Sequence, residues 1–315
     1  MEYNLIIDCL IVVASIVMLW KGADWLVDSA AEIAHSLKVS DLIIGLTVVA
    51  FGTSAPEFAV TISAAITKQT DISIGNVIGS NIFNLGFILG GTAMIRPIAT
   101  SSKLFNRDCL FLLSTTALIF FLFFGFNGWT PDDKYTQNEG LLLFLLLISY
   151  VTFLFIKKDP PEEVHPATAT SMSYVYFFTG LVLIVFGGDL MVKHASNVAR
   201  YMGISDWVIA VTIVAAGTSA PEFATSVSAA LKGRHGIAIG NLIGSDLFNL
   251  LGVLGLAGMI NPAMISQDIY NSVVLLVLMV GLTLFMIRTN WSIGRTEGTI
   301  LVTINLVRWY FDFAN

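Results

Sequence analysis

The segment GTSAPEF, Gly52–Phe58, stands inside a long apolar stretch and returns letter for letter at Gly217–Phe223. Each copy sets a glycine, a proline, two hydroxyl side chains and one carboxylate, Glu57 or Glu222, where a membrane helix would be apolar. A carboxylate at that depth marks a functional site by default. Pro56 has no N–H to donate, and its ring collides with the carbonyl of Gly52, so the helix is expected to kink or open there. The backbone carbonyls thus freed are tolerated at membrane depth only if they are buried in protein or face a cavity. Thr53 and Glu57 share a helix face, while Ser54 lies about 100° round from Thr53. The same reasoning covers Ala215, Thr218, Ser219, Pro221 and Glu222.

Composition points the same way. Of 315 residues, 56% are hydrophobic and 12% charged, against about 25% charged in soluble domains, and the mean hydropathy is +0.80. The chain reads as an all-α integral membrane protein. Met-Glu-Tyr at the N-terminus lacks the basic stretch and cleavage site of a secretory signal, so the first apolar run is expected to be retained. The net charge of −6 is scattered, with no basic run to suggest nucleic acid. Cys9 and Cys109 show no ligand spacing. A hydrolase reading of Ser54 or Ser219 fails, because no Gly-x-Ser-x-Gly elbow surrounds them and no histidine lies in the repeat core. His35, His165, His194 and His235 fall in loops or near helix ends and read as solvated.

A spanning requirement of about 20 residues yields ten segments, near 4–35, 40–67, 71–96, 104–127, 138–157, 173–201, 206–232, 236–261, 267–289 and 296–314. Residues 1–157 hold five, 173–315 hold five, and the proline-rich, mixed-charge stretch 158–172 reads as a linker. Aligned at an offset of 165, residues 41–90 and 206–255 are identical at 28 of 50 positions without a gap, and Gly22-Ala-Asp24 matches Gly187-Gly-Asp189. An odd number of spans per half makes these inverted repeats, a plan of secondary transporters in which broken helices 2 and 7 meet at the midplane. Ten Lys and Arg in the loops after odd spans against four on the other side place the linker in the cytoplasm and both termini outside.

The repeat offers only oxygen: carboxylates, hydroxyls and freed carbonyls. Such a set suits a hard cation, and no His and Cys set for a softer metal accompanies it. If the halves cross, Glu57 and Glu222 approach, and two close carboxylates in a low dielectric cannot both stay charged without a cation or a proton. That is the electrostatics of an exchanger, whose empty site is unfavourable. Asn76, Ser80 and Asn84, matched by Asn241, Ser245 and Asn249, form polar stripes that either coordinate Na⁺ or Ca²⁺ or bond across packed helices. The glycines of GNVIGS and GNLIGS allow close helix approach. Asp24 and Asp189 read as interfacial hydrogen-bonding groups or gates. Asp246, one residue past Ser245, points away from its stripe and reads as a protonated or supporting group.

GTSAPEF followed by GNVIGSNIFN, and GTSAPEF followed by GNLIGSDLFN, resemble the paired repeats of the cation/calcium exchanger superfamily, most closely its prokaryotic sodium/calcium exchangers. The resemblance covers nearly the whole chain. It implies a plasma-membrane antiporter exchanging Na⁺ for Ca²⁺ by alternating access, with no cofactor, and with segments 1 and 6 sliding over the remaining eight. It implies a Ca²⁺ site of Glu57, Glu222 and the carbonyls of Thr53 and Thr218. Sodium sites would add the carbonyls of Ala50 and Ala215, the hydroxyls of Ser54, Ser80, Thr218, Ser219 and Ser245, and the amides of Asn84 and Asn249. One departure stands out: some relatives carry aspartate at the position of Asn249, so two carboxylates are expected at the centre here instead of three. The alternatives are a proton/calcium antiporter and a passive cation channel.

Overall fold

A computed structural model describes residues 5–125, 128–130, 133–157, 169–204, 209, 213 and 215–314. Most of the expected linker therefore lies outside the described residues, as do His165 and most of 205–214. Among the described residues the fold is helical, with two antiparallel pairings of two residues each, Ile98–Ala99 with Ser292–Ile293 and Lys134–Tyr135 with Ala263–Met264. The helices are α1 (Leu5–Leu37), α2 (Asp41–Thr53), α3 (Ala55–Ile66), α4 (Thr70–Ile95), α5 (Ser102–Phe124), α6 (Gln137–Lys157) and α7 (Ser171–Tyr201). They continue as α8 (Ala215–Thr218), α9 (Ala220–Leu231), α10 (His235–Ile260), α11 (Gln267–Asn290) and α12 (Arg295–Ala314). Among the described residues seven of these, α1, α4, α5, α6, α7, α10 and α11, are long and apolar enough to cross a bilayer. The bent pair α2–α3 makes an eighth.

Local chemistry explains where the helices start and break. Ser40, Ser101 and Ser266 cap α2, α5 and α11 by accepting the Ile43, Leu104 and Ile269 N–H groups, each satisfying a donor that the helix start leaves free. Between α2 and α3 the chain bends by 50°, at Ser54 (φ −78°, ψ 8°). The bend sits just ahead of Pro56, which occupies the first turn of α3 where a missing N–H costs nothing. Ser219 (φ −91°, ψ 9°) repeats this ahead of Pro221. Both α4 and α10 widen into a π-helical turn, at Asn84–Leu89 and Phe248–Val253, a distortion frequent at functional sites.

Two close approaches position the centre. Gly240 and Gly244 bring α10 onto the backbone of α2, where a Cβ on Gly244 would meet the Leu46 carbonyl at 2.7 Å. A Cβ on Gly75 or Gly79, the matched glycines of the first half, would meet no other element within 4 Å among the described residues. The second approach pairs α1 antiparallel with α7. A Cβ on Gly180 would lie 2.7 Å from the Gly22 carbonyl. At one end His194 Nδ1 meets Asp8 Oδ1 at 2.5 Å and Asn197 Nδ2 donates to the same oxygen at 3.1 Å. At the other, Ser173 Oγ donates to Glu32 Oε2. His194 is thus an inter-helix partner, correcting its reading as a solvated side chain.

Helix α7 also covers both breaks. A Cβ at Gly52 would stand 2.6 Å from Leu181, and one at Gly217 would stand 1.8 Å from Val192. At Gly217 the contact leaves no room for a side chain, whereas at Gly52 the Leu181 methyl could shift to admit one.

Candidate functional site

Glu57 and Glu222, each in the first turn after a break, are completely buried. Each is held by the other half of the chain. Ser219 Oγ donates to Glu57 Oε1 at 3.0 Å, and Ser54 Oγ donates to Glu222 Oε1 at 3.1 Å. Thr218 also reaches Glu57, while Ser245 Oγ donates to Glu222 Oε1 at 3.4 Å. The exchange is reciprocal: the serine at each break serves the carboxylate beyond the other. Glu57 Oε2 and Glu222 Oε2 are buried with no partner among the described residues. Buried oxygens left so are costly.

Of the other predicted residues, Thr53, Thr218 and Ser245 adjoin this pair, while Asn84 and Asn249 contact Asp246 and Asn81 instead. Thr53 Oγ1 donates to Asn241 Oδ1 at 3.0 Å and lies 3.4 Å from Ser245 Oγ. The Ala50 carbonyl accepts from the Ser54 N–H at 3.1 Å and lies 3.3 Å from Thr53 Oγ1. Ala215 opens the short α8, and Ser80 is buried on α4. Asn84 and Asn249 are completely buried, and both side-chain oxygens are unpartnered among the described residues.

The stripes divide by role. Asn76 Nδ2 donates to Thr61 Oγ1 at 2.9 Å, and the matched Asn241 Nδ2 donates to Ser226 Oγ at 3.1 Å. Both bind a stripe helix to the helix before it, the packing role of polar side chains between membrane helices. Asn241 also accepts from Thr53 of the other half, whereas the side-chain bonds of Asn84 and Asn249 among the described residues run only across the halves. Asn84 Nδ2 donates to Asp246 Oδ1 at 3.0 Å, and Asn249 Nδ2 donates to Asn81 Oδ1 at 3.5 Å.

This adds a buried carboxylate to the expected two. Asp246 is completely buried, and its Oδ2 has no partner among the described residues, so a third buried carboxylate stands behind Asn84, outside any three-carboxylate group with Glu57 and Glu222. The sequence argument considered only the stripe of its own helix, whereas the partner, Asn84, belongs to the other half. Asn305 was also missed: from α12 its Nδ2 donates to the Ile82 carbonyl at 3.2 Å. Its signal was a lone amide in the apolar run LVTINLV. Asp24 bonds Ser228 Oγ at 2.9 Å and Lys232 Nζ at 3.2 Å, while Asp189 is exposed and lines a cleft. This mostly apolar cleft, of about 930 Å³, runs between α2–α3 and α7 and reaches Thr218.

Five oxygens, Glu57 Oε2, Glu222 Oε2, Asn84 Oδ1, Asn249 Oδ1 and Asp246 Oδ2, are therefore buried without donors among the described residues. No group of three or more His, Cys, Asp or Glu that could hold a metal occurs there, so uncharged oxygens must complete any coordination. Carboxylates supplemented by hydroxyl, amide and carbonyl oxygens suit a hard cation.

Comparison with known proteins agrees. A family model described as "Sodium/calcium exchanger protein" matches residues 8–156 and 172–312. The putative antiporter CaxA of Alkalimonas amylolytica is 36% identical across 99% of this chain and 100% of its own length. The sodium/calcium exchanger MaX1 of Methanosarcina acetivorans is 34% identical across 94% of this chain and 95% of its own. A solved structure of the sodium-calcium exchanger NCX_Mj superposes with a TM-score of 0.83 at 29% identity, over 96% of this chain and 98% of that one.

Proposed function

The chain belongs to the sodium/calcium exchanger family, and on that premise we propose that it is a multi-pass antiporter that exchanges Na⁺ for Ca²⁺ by alternating access. The observation that carries the reading is the reciprocal pair Ser54–Glu222 and Ser219–Glu57, in which the second oxygen of each carboxylate is buried without a donor among the described residues. Cations are the missing partners. Ca²⁺ is held by Glu57 and Glu222 with the carbonyls of Thr53 and Thr218. Na⁺ takes the carbonyls of Ala50 and Ala215, the hydroxyls of Ser54, Ser80, Thr218, Ser219 and Ser245, and the amide oxygens of Asn84 and Asn249. With both carboxylates buried, an empty cage is electrostatically unfavourable, so one cation leaves most readily when another replaces it.

The framework is two inverted five-span repeats, residues 1–157 and 173–315, with both termini outside the plasma membrane. Eight spans are accounted for when α2 with α3 counts as one; the pair α8–α9, mirroring α2–α3, and α12 supply the other two. The cleft reaching Thr218 gives the cage an approach beside α7.

Reconstituted vesicles test this. Ca²⁺ uptake is expected to require an outward Na⁺ gradient, to persist when the proton gradient is collapsed, and to disappear in Glu57→Gln and Glu222→Gln. Uptake driven by a proton gradient and indifferent to Na⁺ would replace the reading with a proton/calcium antiporter, and Ca²⁺ flux with no counter-ion would make it a channel.

A further inference from the structure

Between GNVIGSNIFN and GNLIGSDLFN a single polar position differs in chemistry, Asn81 against Asp246. Both side chains are completely buried, and each meets the terminal asparagine of the opposite stripe. The two meetings are not equivalent. A carboxylate offers acceptor oxygens and no N–H, whereas an amide offers both an oxygen and an NH₂. Ionised, Asp246 only accepts, so Asn84 meets it through Nδ2, at 3.0 Å, and its Oδ1 turns away, where it is buried with no partner among the described residues. Asn249 faces no such demand. Its Nδ2 donates to Asn81 Oδ1 at 3.5 Å, but with the two amides turned over, Asn81 Nδ2 would donate to Asn249 Oδ1 in the same place. Those last two atoms are the ones left without partners.

We propose that Asp246 is a positioning residue that fixes the Asn84 amide with its oxygen committed to the cation cage, while Asn81 leaves Asn249 uncommitted, making the two amide ligands for Na⁺ unequal. The inference rests on the assignment of Asn84 and Asn249 as Na⁺ ligands above. Asp246 reaches the cation through Asn84 and through the orientation it imposes. In wild type the Asn84 oxygen is presented before the ion arrives, and Asn249 must choose an orientation as it binds.

The test is Na⁺ binding to the purified full-length protein, read as Na⁺-dependent thermal stabilisation, with Ca²⁺ titrated in parallel. Asp246→Asn, which keeps the shape and removes the constraint, is expected to raise the half-saturating Na⁺ concentration about fivefold. The Ca²⁺ value should move less than about twofold, because Asn84 is not among the Ca²⁺ ligands. In an Asn84→Ala background the same replacement is expected to have no further effect, since the residue it acts through is gone. The mirror variant Asn81→Asp commits Asn249 and is expected to lower half-saturating Na⁺ about fivefold.

Equal shifts for Na⁺ and Ca²⁺ in both backgrounds would mean that the charge of Asp246 acts directly, overturning the positioning role. Wild-type protein that Na⁺ does not stabilise would overturn it as well. If Asp246→Asn does not fold, Asn81→Asp decides, and an unmoved Na⁺ value there rejects the proposal. Vesicles that fail to couple Na⁺ to Ca²⁺ while the purified protein still binds Na⁺ would sink the transport reading alone.

Discussion

The carboxylate layer and the amide layer lie side by side, yet the chain treats them differently. In the first, Ser54–Glu222 and Ser219–Glu57 are the same bond made twice, at 3.1 and 3.0 Å, from identical heptapeptides. In the second, Asn84 meets a carboxylate at 3.0 Å while Asn249 meets an amide at 3.5 Å. Each carboxylate depends on a serine from the other half, so a change in either heptapeptide injures both sides of the layer. The partners of the two amides carry no such mutual dependence, and there the copies have diverged.

The largest expected effect tests the symmetry of the first layer. Glu57→Gln and Glu222→Gln should each lower Na⁺-driven Ca²⁺ uptake in vesicles by about a hundredfold or more, since a buried charged ligand is worth about 3 kcal/mol. Their losses should agree within about threefold, and one variant near wild type would break the equivalence. Next come Ser54→Ala and Ser219→Ala, where one hydrogen bond to a charged group corresponds to about a tenfold rise in the KM for Ca²⁺.

The amide layer should answer unequally. Asn84→Ala is expected to raise half-saturating Na⁺ about tenfold and Asn249→Ala about twofold, because the uncommitted amide contributes less before the ion arrives. Equal values would remove the contrast between the layers. The smallest effect lies outside both. Lys232→Ala removes partly exposed ion pairs to Asp24 at 3.2 Å and Asp28 at 2.8 Å, and should cost about 0.5 kcal/mol in thermal unfolding with transport unchanged.

Much of this architecture is legible in the sequence, because its determinants are local. The repeat is visible at a fixed offset, the proline dictates the break, and the span boundaries recur within a few residues, as with 138–157 for Gln137–Lys157. What escaped depends on partners far along the chain. Position near a helix end says nothing of the pairing of His194 with Asp8, which lies on another helix. The face argument for Asp246 assumed one regular helix, while its partner stands at the mouth of the Asn84–Leu89 π-turn in the opposite half. The heptapeptide shows that Glu57 and Ser219 matter, but packing alone shows that they meet.

The α1–α7 pair carries a mechanical consequence. Two rods pinned together at Asp8–His194 and Glu32–Ser173, and in backbone contact at Gly22 and Gly180, have one degree of freedom between them instead of two. Leu181 and Val192 on that rigid body rest on the glycines of both breaks. A displacement of the pair is therefore felt at both heptapeptides at once, as a single lever bearing on two hinges.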